Sequence, residues 1–311
     1  MCADRPDLSS ESKSCFTGRV DASCGPVRLD AAVAQVAGVS ANRARKLLAK
    51  GWVTLNGRAL KASDKGKTVT AADQIIVHAD FDRVMPCPQG ELEELACGSG
   101  WVAVAKPAGV AVHPLDAGET QTLLNAAVAR YPQMVGVGRE GALRSGVVHR
   151  LDVDTSGVMV LALDNDAWDR LREMFAKHQV SKTYHALVWG TPSDEGRADL
   201  HLAVTRHRPA KVSVVGADHP EARETGLSWR VVEQRGDVAL IEVVLETGFL
   251  HQIRVACAHL GFPVLGDRLY GAGVRDLAPR HMLHAARLEW DGQCVVCSAP
   301  NDFEAVWDAR A

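Results

Sequence analysis

The stretch that most limits the fold is residues 147–164, VVHRLDVDTSGVMVLALD. Its second half, GVMVLALD, is an unbroken apolar run of strand length, and such a run suits a strand covered on both faces. Its first half sets His149, Arg150, Asp152 and Asp154 against a Thr-Ser-Gly turn. The chain must therefore bury a strand inside a layered core and hold a knot of charge at that strand's mouth. A carboxylate there loses hydration, and it stays ionised only if a cation or several donors hold it. Arg150 lies two residues from Asp152, Thr155 and Ser156 offer hydroxyls, and Gly157 admits close backbone approach. Spacing alone leaves two readings, a structural ion pair at a turn, which is the commoner case, or a reactive carboxylate held ready.

The 311 residues have room for two domains, and 47% hydrophobic with 23% charged residues is ordinary globular composition. No apolar run approaches the roughly 20 residues of a membrane-spanning helix, so no membrane association is expected. Residues 1–25 have no apolar core and read as a disordered leader rather than a signal or anchor. Of eight cysteines, only Cys294 and Cys297 have metal-like spacing. CVVC also alternates as a strand does, which favours buried structural thiols over zinc, and the scattered thiols fit a reducing cytoplasm.

The net charge of −3 hides an asymmetry. Residues 26–80 hold nine Lys/Arg against four Asp/Glu, a surplus of +5, which leaves −8 for the remainder. Within this module Leu29, Ala32, Val33 and Val36 follow helical spacing up to Gly38, and Ser40 is placed to cap a second helix with Ala44, Leu47 and Leu48 inward. Arg43, Arg45, Lys46 and Lys50 spread over its outer face, and WVTLNG with Asn56-Gly57 reads as a strand entering a hairpin, with Arg58 just beyond. A one-signed surplus on a compact module suggests polyanion binding. Residues 81–100 carry Pro and Gly without sustained periodicity and read as a linker, and 101–311 as the main body.

In that body WVAVAKPAGVAVHP reads as two strand segments around a turn, QTLLNAAVARY as a helix, and NDAWDRLREMFAKHQ as an amphipathic helix. SKTYHALVWG and DVALIEVVLETG read as strands and LHQIRVACAHLG as a helix closed by Gly261. This order predicts an α+β fold, with a mixed, largely antiparallel sheet and flanking helices, rather than a repeating βαβ wind.

HRLDVDTSG resembles the H-R-L-D-x-x-T-S-G signature of the RluA-type pseudouridine synthases. KPAGVAVHP, KTYHALVWG, HQIRVACAHLGFPVLGDRLYG and HMLHAARLEW follow the same family's pattern in the same order, and five stretches in sequence are specific where one would be weak. The likeness runs from about residue 27 to 292. RLD…SANRARKLLAKGWVTLNG likewise resembles the alpha-L RNA-binding domain of ribosomal protein S-four type. These resemblances imply a monomeric, cytoplasmic enzyme with an N-terminal RNA-docking domain. It would isomerise a uridine within ribosomal or transfer RNA, acting on neither DNA nor membranes and needing no cofactor and no metal. They imply Asp152 as nucleophile, Arg254 as its ion-pair partner, Tyr184 stacked on the uracil, where it could also take the carbon 5 proton, and Arg150 filling the stack vacated by a flipped base. Arg43, Arg45, Lys46, Lys50 and Arg58 would meet RNA phosphates.

Two positions depart from the pattern. Phe249-Leu250 stand where the family has Arg-Thr, and Val153 where it usually has Lys, which puts the RNA target in question rather than the chemistry. Of the neighbouring residues, Asp154 reads as a turn cap, His149 as a loop-orienting hydrogen-bonder and His251 as helix-end packing. Lys106 is balanced between a phosphate contact and none. Two competitors remain: an RNA-binding assembly factor without catalysis, and a nucleoside or glycoside hydrolase using Asp152 and Asp154.

Overall fold

A computed structural model describes residues 15–19, 26–78, 83–116 and 118–310. The chain divides into two compact units, one reaching Met85 and including Leu115–Glu119, the other holding Pro86–Pro114 and Thr120 onward.

The first unit contains β1 (Cys15–Arg19), β2 (Val27–Arg28), α1 (Leu29–Ala37), α2 (Ala41–Ala49), β3 (Val53–Leu55), β4 (Arg58–Ala59), β5 (Thr68–Val69) and β6 (Gln74–His78). One antiparallel sheet runs β1-β6-β3-β4, and β2 pairs with β5. Gly38 at φ +64° closes α1. Ser40 Oγ accepts the Arg43 N–H at 3.3 Å to open α2, satisfying one orphan donor of the helix start. Leu29, Val33, Leu47, Leu48, Ile75 and Val77 form the core. Strand β1 lies inside the stretch read as a disordered leader, which corrects that reading for 15–19; residues 1–14 and 20–25 lie outside the described residues.

The second unit contains β7 (Glu93–Gly98), β8 (Trp101–Lys106), α3 (Leu123–Arg130), β9 (Ser156–Ala162), α4 (Asn165–Ala176), β10 (Ser181–Trp189), β11 (Glu195–His207), β12 (Ala210–Val214), β13 (Arg223–Arg235), β14 (Val238–Leu245), α5 (Gln252–His259), β15 (Leu283–Trp290), β16 (Gln293–Val296) and α6 (Asn301–Asp308). Its ten-stranded sheet runs β12-β11-β13-β14-β10-β15-β9-β8-β7, with β16 beside β15. All pairings are antiparallel except β9 with β15. Every residue of β9 is buried, because β8 and β15 flank it and α4 packs across it. At the parallel junction a Cβ on Gly157 would stand 2.2 Å from the Ala285 carbonyl oxygen, so only glycine fits where the two strands meet.

Three expectations are corrected. The stretch 81–100, read as linker, contains β7 at the sheet's edge. Its ladder to β8 shifts register between Glu94 and Ala96, and this bulge, in a strand with no fully buried residue, erases the alternation that reveals a strand. The second strand expected in VAVHP is absent, since the carbonyls of Ala111 and Val112 instead accept the N–H groups of Leu123 and Leu124 at the head of α3. Cys297 is buried but Cys294 is exposed, so the paired buried thiols reduce to one.

Candidate active site

Arg254 organises the site. The turn into α5 is set by Gln252, which is buried and accepts from Phe249 N at 3.0 Å and from Thr247 Oγ1 at 2.9 Å, while donating to the Gly226 carbonyl at 3.0 Å. His251 takes a left-handed conformation, φ +54°, sparsely populated by non-glycine residues. From this start α5 carries Arg254 into the body, where it is only 7% exposed. Its Nε and Nη2 grip Asp267 at 2.7 and 2.9 Å, and its Nη1 donates to Asp152 Oδ2 at 2.9 Å.

The two carboxylates on this guanidinium differ. Asp267 is 1% exposed and also accepts the N–H groups of Leu269 and Tyr270 at 2.9 and 3.0 Å. Burial alone would raise its carboxyl, but these four donors and the Arg254 charge outweigh it and hold Asp267 below the ordinary carboxylate range. Burial works against the Arg254 charge too, and Asp267 and Asp152 overcome it, so its pKa is raised further still. Asp152 keeps 18% of its side chain exposed and receives one bond from this shared cation. The Tyr270 ring lies 5.2 Å beneath the guanidinium. Its hydroxyl accepts the Val212 N–H at 2.9 Å and meets His251 Nδ1 at 2.8 Å, and His251 Nε2 stands 3.8 Å from Asp152 Oδ1.

Asp152, Tyr184, Arg254 and Arg150 line one cleft, together with His251 and Phe249. Tyr184 comes from the centre of β10. Burial first, and the Asp152 charge second, push its phenol upward, so it stands protonated at neutral pH. Arg150 is exposed at the cleft, with no acidic partner among the described residues. The five cations assigned to RNA all belong to the first unit. Arg45 pairs with Asp30 at 3.0 Å, Lys50 pairs with Asp116 and Lys46, itself exposed, stands 4.0 Å from the same carboxylate, while Arg58 is exposed and Arg43 half-buried.

The hydroxyls beside Asp152 do not hold it. Thr155 Oγ1 bonds His281 Nε2 and Ser156 Oγ bonds His284 Nδ1, both at 2.9 Å. Burial pushes both histidines down to about 4, so they are neutral struts, His284 on β15 and His281 just before it, that brace the turn. Arg280, paired with Asp302 at 2.6 Å, donates to the Asp154 carbonyl at 2.9 Å. The turn is therefore fixed through the backbone of Asp154, whose carboxylate is exposed. His149 Nε2 accepts the Val160 N–H at 3.0 Å and its ring stacks on Phe175; burial lowers it to about 3. Lys106 is not a phosphate contact. It is 1% exposed, and its ammonium donates to the carbonyls of Pro107, Val110 and Val153 at 2.7, 2.8 and 2.8 Å, pinning the turn at Gly109 to the Asp152 loop. Sequence reasoning gave no role to Asp267 or Tyr270, although GDRLYG carries both, and took His251 for packing.

The RNA pseudouridylate synthase family model matches residues 100–259. An uncharacterised RNA pseudouridine synthase of Chloroflexus aurantiacus is 34% identical over 80% of this chain and 77% of its own. The ribosomal large subunit pseudouridine synthase D of Zymomonas mobilis is 33% identical over 84% of each. Among solved structures, human RNA pseudouridylate synthase domain containing 4 superposes with a TM-score of 0.56 at 26% identity, covering 70% of this chain and 92% of that one. On this footing the chain belongs to the RNA pseudouridine synthases, of the RluA type, and is an isomerase that acts on RNA.

Proposed function

We propose that this isomerase uses the Asp152 carboxylate as nucleophile at the ribose–uracil junction of a uridine flipped out of structured RNA. The bond from ribose carbon 1′ to uracil nitrogen 1 breaks, a bond from carbon 1′ to carbon 5 forms, and the carbon 5 proton is released as nitrogen 1 gains one. The atoms balance with no external reactant. The observation that carries the reading is the asymmetry at Arg254, where Asp152 receives one guanidinium bond at 2.9 Å and keeps lone pairs open to the cleft. A retaining glycosidase places a carboxylate at the same kind of junction.

Tyr184, a neutral phenol in the cleft wall, serves as the stacking surface for the uracil. Arg150, exposed at the same cleft and without an acidic partner among the described residues, takes the place of the everted base. The first unit acts as an alpha-L type RNA-docking domain, with Lys46 and Arg58 as exposed phosphate contacts. Several relatives are named for the large ribosomal subunit, which makes large-subunit ribosomal RNA the first substrate to try. Asp154, exposed and held through its backbone, is not set up as the second carboxylate of a hydrolase.

The test is tritium release from an unmodified large-subunit transcript labelled at carbon 5 of its uridines. Wild-type protein should release tritium with no free uracil, and Asp152→Ala should release none while still binding the transcript. Release by Asp152→Ala, or free uracil from the wild type, would sink the proposal.

A further inference from the structure

His251 lines the cleft, and the isomerase reading gives it nothing to do. Its backbone is left-handed at φ +54°, a costly conformation for a residue with a side chain, and such positions cluster at active sites. The turn is held by the next residue, Gln252, whose amide oxygen accepts from Phe249 N and Thr247 Oγ1. The ring packs edge-on against Tyr270, with centroids 5.6 Å apart, and 13% of the side chain is exposed. A strained backbone and a tight neighbour thus present the far edge of the imidazole to the cleft.

The hydrogen bonds assign the imidazole proton. The Tyr270 hydroxyl accepts the Val212 N–H at 2.9 Å and lies 2.8 Å from His251 Nδ1. Burial raises this phenol, so it keeps its proton and donates it to Nδ1. Nδ1 is then an acceptor, and Nε2 carries the ring's N–H. Among the described residues nothing accepts from Nε2, because Asp152 Oδ1, at 3.8 Å, is beyond hydrogen-bond length. Burial lowers the histidine, with Arg254 and Arg150 adding to it and Asp152 and Asp267 opposing. The ring is therefore uncharged at neutral pH and does not occupy the carboxylate as an imidazolium would.

When carbon 1′ parts from nitrogen 1, the bonding pair stays with the uracil and spreads onto its ring carbonyl oxygens. A fixed donor at such an oxygen lowers the barrier. Apart from Arg150 and Tyr184, the other side-chain donors of the cleft are engaged, Arg254 with Asp152 and Asp267, Gln252 with the Gly226 carbonyl and Thr155 with His281. A neutral imidazole polarises a carbonyl without pairing with the nucleophile. We propose that His251 is a catalytic residue whose Nε2–H donates a hydrogen bond to a ring carbonyl oxygen of the uracil as the base leaves the ribose. The proton stays on Nε2 throughout, so the balance of atoms is unchanged. This rests on the isomerase reading above.

The test separates the two ring nitrogens. An Asn side chain reaches the place of Nδ1, keeps a bond to Tyr270 and suits a left-handed backbone, but it falls short of the place of Nε2. A Gln side chain brings an N–H to the place of Nε2 and gives up the Tyr270 bond. Full-length wild-type protein, His251→Asn and His251→Gln are compared in tritium release from the large-subunit transcript labelled at carbon 5 of its uridines, and each is melted. His251→Asn should lower kcat by about 100-fold or more, with KM within about threefold and little change in melting temperature. His251→Gln should keep kcat within about tenfold of wild type, although it melts earlier. A residue that only props the cleft wall gives the reverse order, since Asn keeps the prop. Near-wild-type kcat in His251→Asn, or a loss in folded His251→Gln as deep as in His251→Asn, would overturn the donor role. No release by the wild type at all would remove the isomerase reading and this one with it, so the two failures are told apart.

Discussion

The loops around Asp152 and Asp267 share one guanidinium and put it to opposite uses. Asp267 accepts from four donors and is closed to water, while Asp152 accepts one guanidinium bond and remains partly open to the cleft. A saturated carboxylate is structure, because its lone pairs are committed and its charge offsets that of a buried cation. An unsaturated one beside the same cation is oriented by it yet keeps lone pairs free to react. The difference lies in the backbone around them, since residues 267–270 aim two N–H groups at their own Asp whereas the turn after Asp152 aims its hydroxyls at His281 and His284.

If this division of labour is right, stability and activity separate. Asp267→Asn should cost about 3 kcal/mol or more, since it leaves a buried guanidinium underpaired, and denaturant unfolding measures it directly; a loss under about 1 kcal/mol would erase the distinction. Acid should act next most strongly, through the struts of the Asp152 turn. An unfolded histidine takes up its proton near pH 6.5, but buried His281 and His284 only near 4. Between those values the unfolded chain binds more protons at these two sites, so their contribution to stability falls as pH falls from about 6.5 to 4 and then levels. Each histidine contributes up to about 3 kcal/mol, and His281→Asn should blunt the fall when melting temperature is followed against pH. Asp152→Asn should be the mildest for the fold, within about 0.5 kcal/mol in the same unfolding assay, as a partly exposed group making one such bond.

Much of this fold was legible in the sequence. The unbroken run after Gly157 predicts a strand covered on both faces, and β9 is buried throughout. Asn56-Gly57 predicts a hairpin, and both residues have positive φ because the turn's twist demands it. Edge strand β7 was not legible, since a bulged and half-exposed strand needs no alternating pattern. The site was harder to read. Proximity in sequence pointed to Arg150 and to the Thr155 and Ser156 hydroxyls as the groups that steady Asp152, and among the described residues none of these bonds its carboxylate. Its cation comes from 102 residues away, a distance the family resemblance bridges and periodicity does not. Asp267 and Tyr270 act on the site through Arg254 and His251, so nothing in their local sequence marks them.

The most direct measurement is pseudouridine mapping in large-subunit ribosomal RNA from three otherwise identical strains, carrying the wild-type gene, a deletion, or the Asp152→Ala allele. The expected outcome is that specific pseudouridines present with the wild-type gene vanish in the deletion and equally in the Asp152→Ala strain, with the variant protein folded and abundant. Pseudouridines that depend on the gene yet persist with Asp152→Ala would contradict the claim that this carboxylate performs the chemistry.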